Sequence, residues 1–372
     1  MTDAMVHSPQ AQQLLAARGP FVSICFDDAH DAPDAAERLQ VIWRHVRREL
    51  EEQRADATLV TSLEPAVMAA RPSAGRTGHC VIAGADGVLI KEHLVVPPPS
   101  TVVRVSELPY VVPLVEFGPG VGHYLVLFVD QLGAELTLVR GATVRTETVD
   151  PGGYPVHKSA SAGVDGWGDH QHRAEEAVRK NVRAVADRLT QHLDHHHVEA
   201  VFVIGQDRVR AELMALLAER IRVQVVQPGC GARNTGIDSI VRQAIALEFQ
   251  NRRLQQAAAV AVRFRAEAGH RSDLTVTGLP DVCAALREGA VETLIIGSIG
   301  NETIVAGNDL SIIAPDADTL SNFGTAPTRT LRADEAVPFA AMIGGAALVR
   351  ADDSLELADG MAALLRFPLP GY

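Results

Sequence analysis

Three turn-rich breaks, "VPPPS" at 96–100, "FGPGVGH" at 117–123 and "PGCGARNTG" at 228–236, cut this chain into stretches that must each supply their own strands and helices. At 372 residues the chain is long for one core, so several domains are expected. The boundaries fall at 1–120, 121–236 and 237–372. Hydrophobic residues make up 47 % and aromatics only 4 %, which predicts interiors of Val, Leu, Ile and Ala.

The first stretch holds the apolar run "FVSICF" and a helical pattern with Leu39, Ile42, Trp43, Val46 and Leu50 on one face. Short strands "HCVIAG", "GVLIKEHLVV" and "TVVRV" follow. The second opens with a meander, "YLVLFVD", "AELTLVR" and "TVRTETV", and then a Gly-rich polar loop over 161–172. A helix comes next, its buried stripe being Val178, Val182, Val185, Ala186 and Leu189. "VEAVFVIG", a helix through "RAELMALLAE" and the strand "RVQVVQ" complete a mixed sheet. The third begins with a long helical stretch, roughly 238–268, that an interruption would split. It continues through "CAALREGAVETLIIG", where Gly289 sits at a helix end, to "DEAVPFAAMIGGAALVR" and the strand "GMAALLRF". The fold class is α/β, each domain a mixed sheet with helices.

Charge and cysteine usage exclude several functions. A net charge of −12 argues against coating nucleic acid non-specifically, so any RNA contact must be local. The middle stretch is the least acidic. No apolar run has the length of a bilayer span, and the N-terminus has neither a basic start nor an apolar stretch; a cytoplasmic protein with no membrane or DNA partner is expected. Cys25, Cys80, Cys230 and Cys283 are far apart and form no C-x-x-C pair, so buried thiols are expected rather than a zinc site or a disulfide framework.

Other motifs point away from catalysis, metals and cofactors. "HLDHHH", with His192, His195, His196 and His197, reads as a polar helix end, His suiting the last turn of a helix. The glycines of "GPGVG" precede a strand and so do not form a dinucleotide fingerprint. "GCGARNTG" reads as a linker, with an anion cup at a helix N-terminus as the alternative. Ser161, His157 and Asp165 would make a hydrolase triad, yet no strand–turn–helix elbow presents the serine.

"ALREGAVETLII", followed about 70 residues later by "GMAALLRF", resembles the C-terminal domain of the archaeal and eukaryotic peptide-release factor and Pelota family. The order of elements in the middle stretch resembles that family's middle domain. The stretches "GPFVSICFDDAHDAPDAAERLQ", "GYPVHKSASAGVDGWGDHQH" and "DEAVPFAAMIGGAALVR" are similar to the branch of Balon and its actinobacterial relatives. The resemblance implies a three-domain, non-enzymatic hibernation factor in the vacant ribosomal A site, with the first domain toward the decoding centre and the third toward elongation factor Tu or the stalk base. Where release factors carry Gly-Gly-Gln, this chain has "GWGDHQH", and it has no Asn-Ile-Lys-Ser stretch. Two implied alternatives are a Pelota-like rescue factor and a peptidyl-tRNA hydrolase using Gln171.

The resemblance further implies ribosomal RNA contacts from the loop, by His157, Lys158, Trp167, Gly168, Asp169, His170 and Gln171. It implies others from the basic helix, by Arg173, Arg179, Lys180 and Arg183. The residues alone leave a second reading open, because these cations alternate with Glu175 and Glu176 as on a solvated face with i,i+4 pairs.

Overall fold

The computed structural model describes residues 9–27, 35–69, 78–94, 96–118, 123–140, 143–150, 167–196, 198–228, 239–270, 273–308, 310, 312–352 and 354–369. They form two compact units. One joins Met1–Val121 with Phe249–Tyr372; the other is Gly122–Glu248.

The N-terminal part of the first unit runs α1 (Pro9–Ala16), β1 (Phe21–Asp27), α2 (Ala35–Glu52), α3 (Ala57–Met68), β2 (Gly78–Gly84), β3 (Gly87–Leu94), β4 (Val102–Ser106) and α4 (Val112–Phe117). Its antiparallel sheet has the order β3-β2-β1-β4. Alternation along β1 sends Val22, Ile24 and Phe26 to a core with α2 and α3, and Phe21 and Cys25 to a second core on the opposite face. Burial on both faces is why "FVSICF" reads as a continuous apolar run. Leu39, Trp43, Val46 and Leu50 of α2 are buried at helical spacing. Asp56 caps α3, accepting hydrogen bonds from the Thr58 and Leu59 amides. Just past α2, the Gln53 side-chain amide donates to the Val103 carbonyl at 2.9 Å and accepts from the Val105 amide at 2.8 Å, covering part of the open edge of β4.

The second unit runs β5 (Tyr124–Val129), β6 (Ala134–Arg140), β7 (Thr143–Val149), α5 (Trp167–His195), β8 (Ala200–Gly205), α6 (Asp207–Leu216), α7 (Glu219–Arg222) and β9 (Val225–Val226). The expected meander holds, and β8 and β9 add in parallel to give the order β7-β6-β5-β8-β9. One face of this sheet packs Leu125, Leu127, Leu136, Val201 and Val203 against Val182, Val185, Ala186 and Leu189 of α5.

The helix α8 (Ser239–His270) is continuous where an interruption was conceivable, and the chain passes back into the first unit along it. Then follow β10 (Thr275–Thr277), α9 (Leu279–Arg287), β11 (Val291–Ile296), β12 (Thr303–Ala306), β13 (Ile313–Ala314), α10 (Ala317–Asn322), β14 (Arg329–Arg332), α11 (Ala333–Ile343), β15 (Ala347–Arg350) and β16 (Met361–Leu365). They build a sheet β10-β16-β11-β15 and a small sheet β13-β12-β14. Gly289, at φ +65°, ends α9 as its position in the sequence predicts.

The cysteine expectation needs correction. Strand register sets Cys25 opposite Cys80 with Cα atoms 4.1 Å apart, and the two are joined in a disulfide. A separation of 55 residues conceals a pair that only β1–β2 pairing creates. Cys283 is a buried thiol as expected, pushed up to about 12 by burial, and Cys230 lies outside the described residues.

N- and C-terminal parts share one core, in which Leu14, Phe21, Ile82 and Val111 belong with Val282, Leu294, Val337 and Met342. Beside it, Arg104 on β4 donates from Nη1 to Glu335 Oε1 at 3.1 Å and forms an ion pair with Asp334 Oδ2 at 2.8 Å, and its guanidinium lies 3.5 Å from the centroid of the Tyr110 ring. Arg332 holds Asp334 from the other side with two bonds of 3.0 Å. Burial holds the Glu335 carboxyl above its ordinary range, with Arg104 opposing.

Replacing Arg104 by Met should lower the unfolding free energy by about 3 kcal/mol, because it leaves Glu335 buried without its cation. A carboxyl raised in the folded state keeps a proton there that the unfolded chain releases. Its contribution to stability therefore rises as pH falls through the folded value and levels off near the ordinary 4.5. Denaturant melts of Arg104→Met from pH 7.5 to 4.5 should show the deficit shrinking on acidification. A deficit independent of pH would assign the loss to packing against Tyr110 instead.

Candidate functional site

The helix α5 lies on its sheet by one stripe and offers the others for different purposes. Val182, Val185 and Leu189 are fully buried, while Arg179, Lys180 and Arg183 are exposed, as the periodicity predicts. Lys180 meets Glu176 at 3.9 Å with both side chains more than half exposed, a contact worth little. Arg179 and Arg183 have no ion-pair partner among the described residues. Two cations one helical turn apart therefore face outward unneutralised.

A second stripe is polar and fully engaged. Asn181 donates to the Gln131 carbonyl in the β5–β6 turn at 2.9 Å. Two and three turns beyond, Arg188 grips Glu147 of β7 through Nε and Nη2 at 2.7 and 2.9 Å, and His192 Nε2 reaches the same carboxylate at 2.9 Å. The two hydrogen bonds from Arg188, seconded by His192 and opposed by partial burial, hold Glu147 down at about 2, and Glu147 in turn raises Arg188. This clamp is invisible to a reading of α5 alone. The only signal for it is the lone acid on the helix-facing side of "TVRTETV".

His192 and His195 occupy the last turn of α5, the polar helix end expected of "HLDHHH". Among the described residues no three His, Cys, Asp or Glu side chains gather in a group able to hold a metal ion.

The helix α5 begins at Trp167, inside the loop expected over 161–172. From Trp167 the backbone is already helical, which puts Trp167, Gly168, Asp169, His170, Gln171 and Arg173 in the first turns of α5. From Asp169 to beyond His196 the sequence contains neither Gly nor Pro, so nothing stops the helix from extending back to this point. His157, Lys158, Ser161 and Asp165 lie outside the described residues, as does the "GCGARNTG" linker.

Residues 123–270 match the model of bacterial archaeo-eukaryotic release factor family 2. The chain is 46 % identical over 363 residues to the uncharacterized protein Rv2629 of Mycobacterium tuberculosis and to MT2704 of another strain, covering 97 % of each chain in both cases. Among solved structures it is similar to the archaeal translation termination factor aRF1, at 14 % identity over 99 % of both chains with a TM-score of 0.26. It is also similar to Archaeoglobus fulgidus Pelota, at 14 % identity over 80 % of this chain and 86 % of that one, TM-score 0.37. A third similarity is to ribosome-bound archaeal Pelota, at 19 % identity over 78 % of both chains, TM-score 0.42.

The clamp makes a prediction of its own. With Glu147 held at about 2, its contribution to stability is complete above 4.5 and is lost as pH falls from 4.5 toward 2. Since Glu147 and Arg188 are each more than a third exposed, screening leaves about 1 kcal/mol of it. Glu147→Gln should lose that amount at neutral pH and flatten the acid dependence between pH 5 and 3, as read by denaturant melts. High salt should narrow the gap to the parent protein. A gap that widens with salt would contradict an ionic clamp.

Proposed function

The chain belongs to the bacterial archaeo-eukaryotic release factor family, and on that premise we propose that it is a non-enzymatic translation factor which occupies the vacant ribosomal A site and silences idle ribosomes. The observation that carries this reading is the outward set Arg179, Lys180 and Arg183 on α5, directly after the position where release factors carry Gly-Gly-Gln and this chain has "GWGDHQH". A phosphate-lined site favours exposed cations, above all unneutralised Arg, at a fixed spacing on a rigid element. Release chemistry needs a glycine-rich tip whose backbone adopts left-handed conformations. A helical backbone at Gln171 argues against such a tip, and Asp169 beside it adds negative charge where phosphates would sit.

In this reading α5 meets ribosomal RNA through Arg173, Arg179, Lys180 and Arg183, while its first turns, with Trp167 and His170, and His157 and Lys158 ahead of them reach toward the peptidyl-transferase centre. The N-terminal part faces the decoding centre. The part after residue 237 meets elongation factor Tu, as the resemblance to Balon and its relatives implies. The working compartment is the cytoplasm, and no helix among the described residues is long and apolar enough to cross a membrane.

Replacing Arg179, Lys180 and Arg183 together by Gln should reduce the steepness of the log–log salt dependence of ribosome binding by about two to three units, since each neutralised phosphate contributes roughly −0.7 to −0.9. A solvated face would leave affinity unchanged and alter stability by about 0.5 kcal/mol or less at each site. Co-sedimentation with ribosomes at several salt concentrations, with a thermal melt as the folding control, separates the two; a slope equal to the parent's removes α5 from the interface.

The same reading predicts that the purified protein frees no peptide from stalled ribosomes at any concentration that saturates binding, and that Gln171→Ala changes nothing in that assay. Peptide release abolished by Gln171→Ala would instead establish a hydrolase.

A further inference from the structure

Cys25 and Cys80 bridge the two central strands of the N-terminal sheet, β1 and β2, as direct register partners. Both are fully buried in the core that this sheet shares with α9, β11 and α11. Cys283 of α9 belongs to the same core, but burial pushes its thiol up to about 12, so it stays protonated and does not attack the bridge. While that core is closed the bridge therefore does not exchange with Cys283, and an outside reagent changes its state. The ribosome-associated reading enters at one point: it places the chain where thiols are kept reduced, and disulfides that form there are characteristically transient and redox-sensing.

We propose that Cys25 and Cys80 form a reversible thiol–disulfide site, with a small dithiol as reductant and a hydroperoxide as oxidant, whose state sets how firmly the N-terminal sheet closes on the C-terminal helices. In reduction, a dithiol thiolate attacks one bridge sulfur, breaking the S–S bond and forming a mixed disulfide. The reagent's second thiol then displaces the protein sulfur. Two electrons and two protons end on Cys25 and Cys80 as thiols, and the reagent leaves as its cyclic disulfide. In oxidation, one cysteine thiolate attacks the peroxide oxygen, giving a sulfenic acid and an alcohol or water; the other cysteine then displaces water and the S–S bond forms. Since both sulfurs are buried in the shared core, either reagent gains access only when that core opens, which links redox state to closure of the unit.

The test uses the full chain. Mass spectrometry after alkylation should find the Cys25 and Cys80 peptides labelled after equilibration with dithiothreitol and unlabelled after mild hydrogen peroxide, over repeated cycles. The reduced form should melt about 5–10 °C below the oxidised form. The double variant Cys25→Ala, Cys80→Ala should melt at one temperature in both reagents; if it does not fold, the comparison of the two states of the parent chain decides. Peptides that stay unlabelled in native-condition dithiothreitol, or thiols that stay free after peroxide, overturn reversibility. Equal melting temperatures of the two states overturn the link to closure. Absence of ribosome binding in both redox states would count against the ribosomal reading and leave these thiol outcomes as measured.

Discussion

The helix α11 is buried along nearly its whole length, from Ala333 to Met342, and this burial forces the two ends of the chain together. A helix that is apolar all round needs cover on every side. The C-terminal part supplies it through α9, β11, β12, β14 and β15; the N-terminal part adds α1 and α4. The first turn of α11 buries two carboxylates, Asp334 and Glu335, with side-chain exposures of 6 % and 4 %. The helix N-terminus favours negative charge there, but two adjacent buried acids also need cations, and Arg104 comes from a strand 230 residues upstream. Apolar core and ion pairs thus impose the same constraint: residues 1–121 and 249–372 fold as one body, with Gly122–Glu248 inserted between them.

That insertion keeps its own core. Every residue of the apolar cluster under α5 lies between Leu125 and Val225, and no member of the core around α11 falls inside that range. Substitutions on α5 accordingly test α5, since the interior they leave intact belongs to the same unit. Truncation is a poorer instrument. A chain cut near residue 236 loses α11 and with it the cover of the N-terminal sheet, so loss of a partner after such a cut would report on folding as much as on contact.

What could be read from the sequence follows what is local. The helical stripe Leu39, Trp43, Val46 and Leu50, the meander before α5 and the glycine after α9 depend on neighbours within a turn or a hairpin, and all stand in the structure as their patterns predict. What escaped is non-local. The Cys25–Cys80 pair exists through strand register, and the fate of "DEAVPF" depends on Arg104, far upstream. An acid in the first turn of a helix is ordinarily solvated, so nothing in the local pattern marks Asp334 and Glu335 as buried. The beginning of α5 departs from its pattern for the opposite reason: a Gly-rich, polar composition predicts a loop through residue 172, although from Asp169 onward no residue breaks a helix.

Mixed charge on α5 shows most directly what geometry adds to composition. In sequence, Arg179, Lys180, Arg183 and Arg188 are four equivalent cations among acids. In the fold, Glu147 takes Arg188 in a two-bond grip shared with His192, Lys180 meets Glu176 in a long, exposed contact, and Arg179 and Arg183 face solvent without an ion-pair partner among the described residues. The partition follows from helical phase: Asn181, Arg188 and His192 recur at seven and four residues and so fall on the flank that meets β7 and the β5–β6 turn, whereas Arg179 and Arg183 lie on another stripe. The flank that holds the helix in place is therefore distinct from the flank left charged. A helix anchored by one set of ionic contacts while presenting another is rigid where it bears unneutralised arginines, and phosphate recognition by Arg depends on that rigidity, because the fixed fork of a guanidinium gains little from a mobile support.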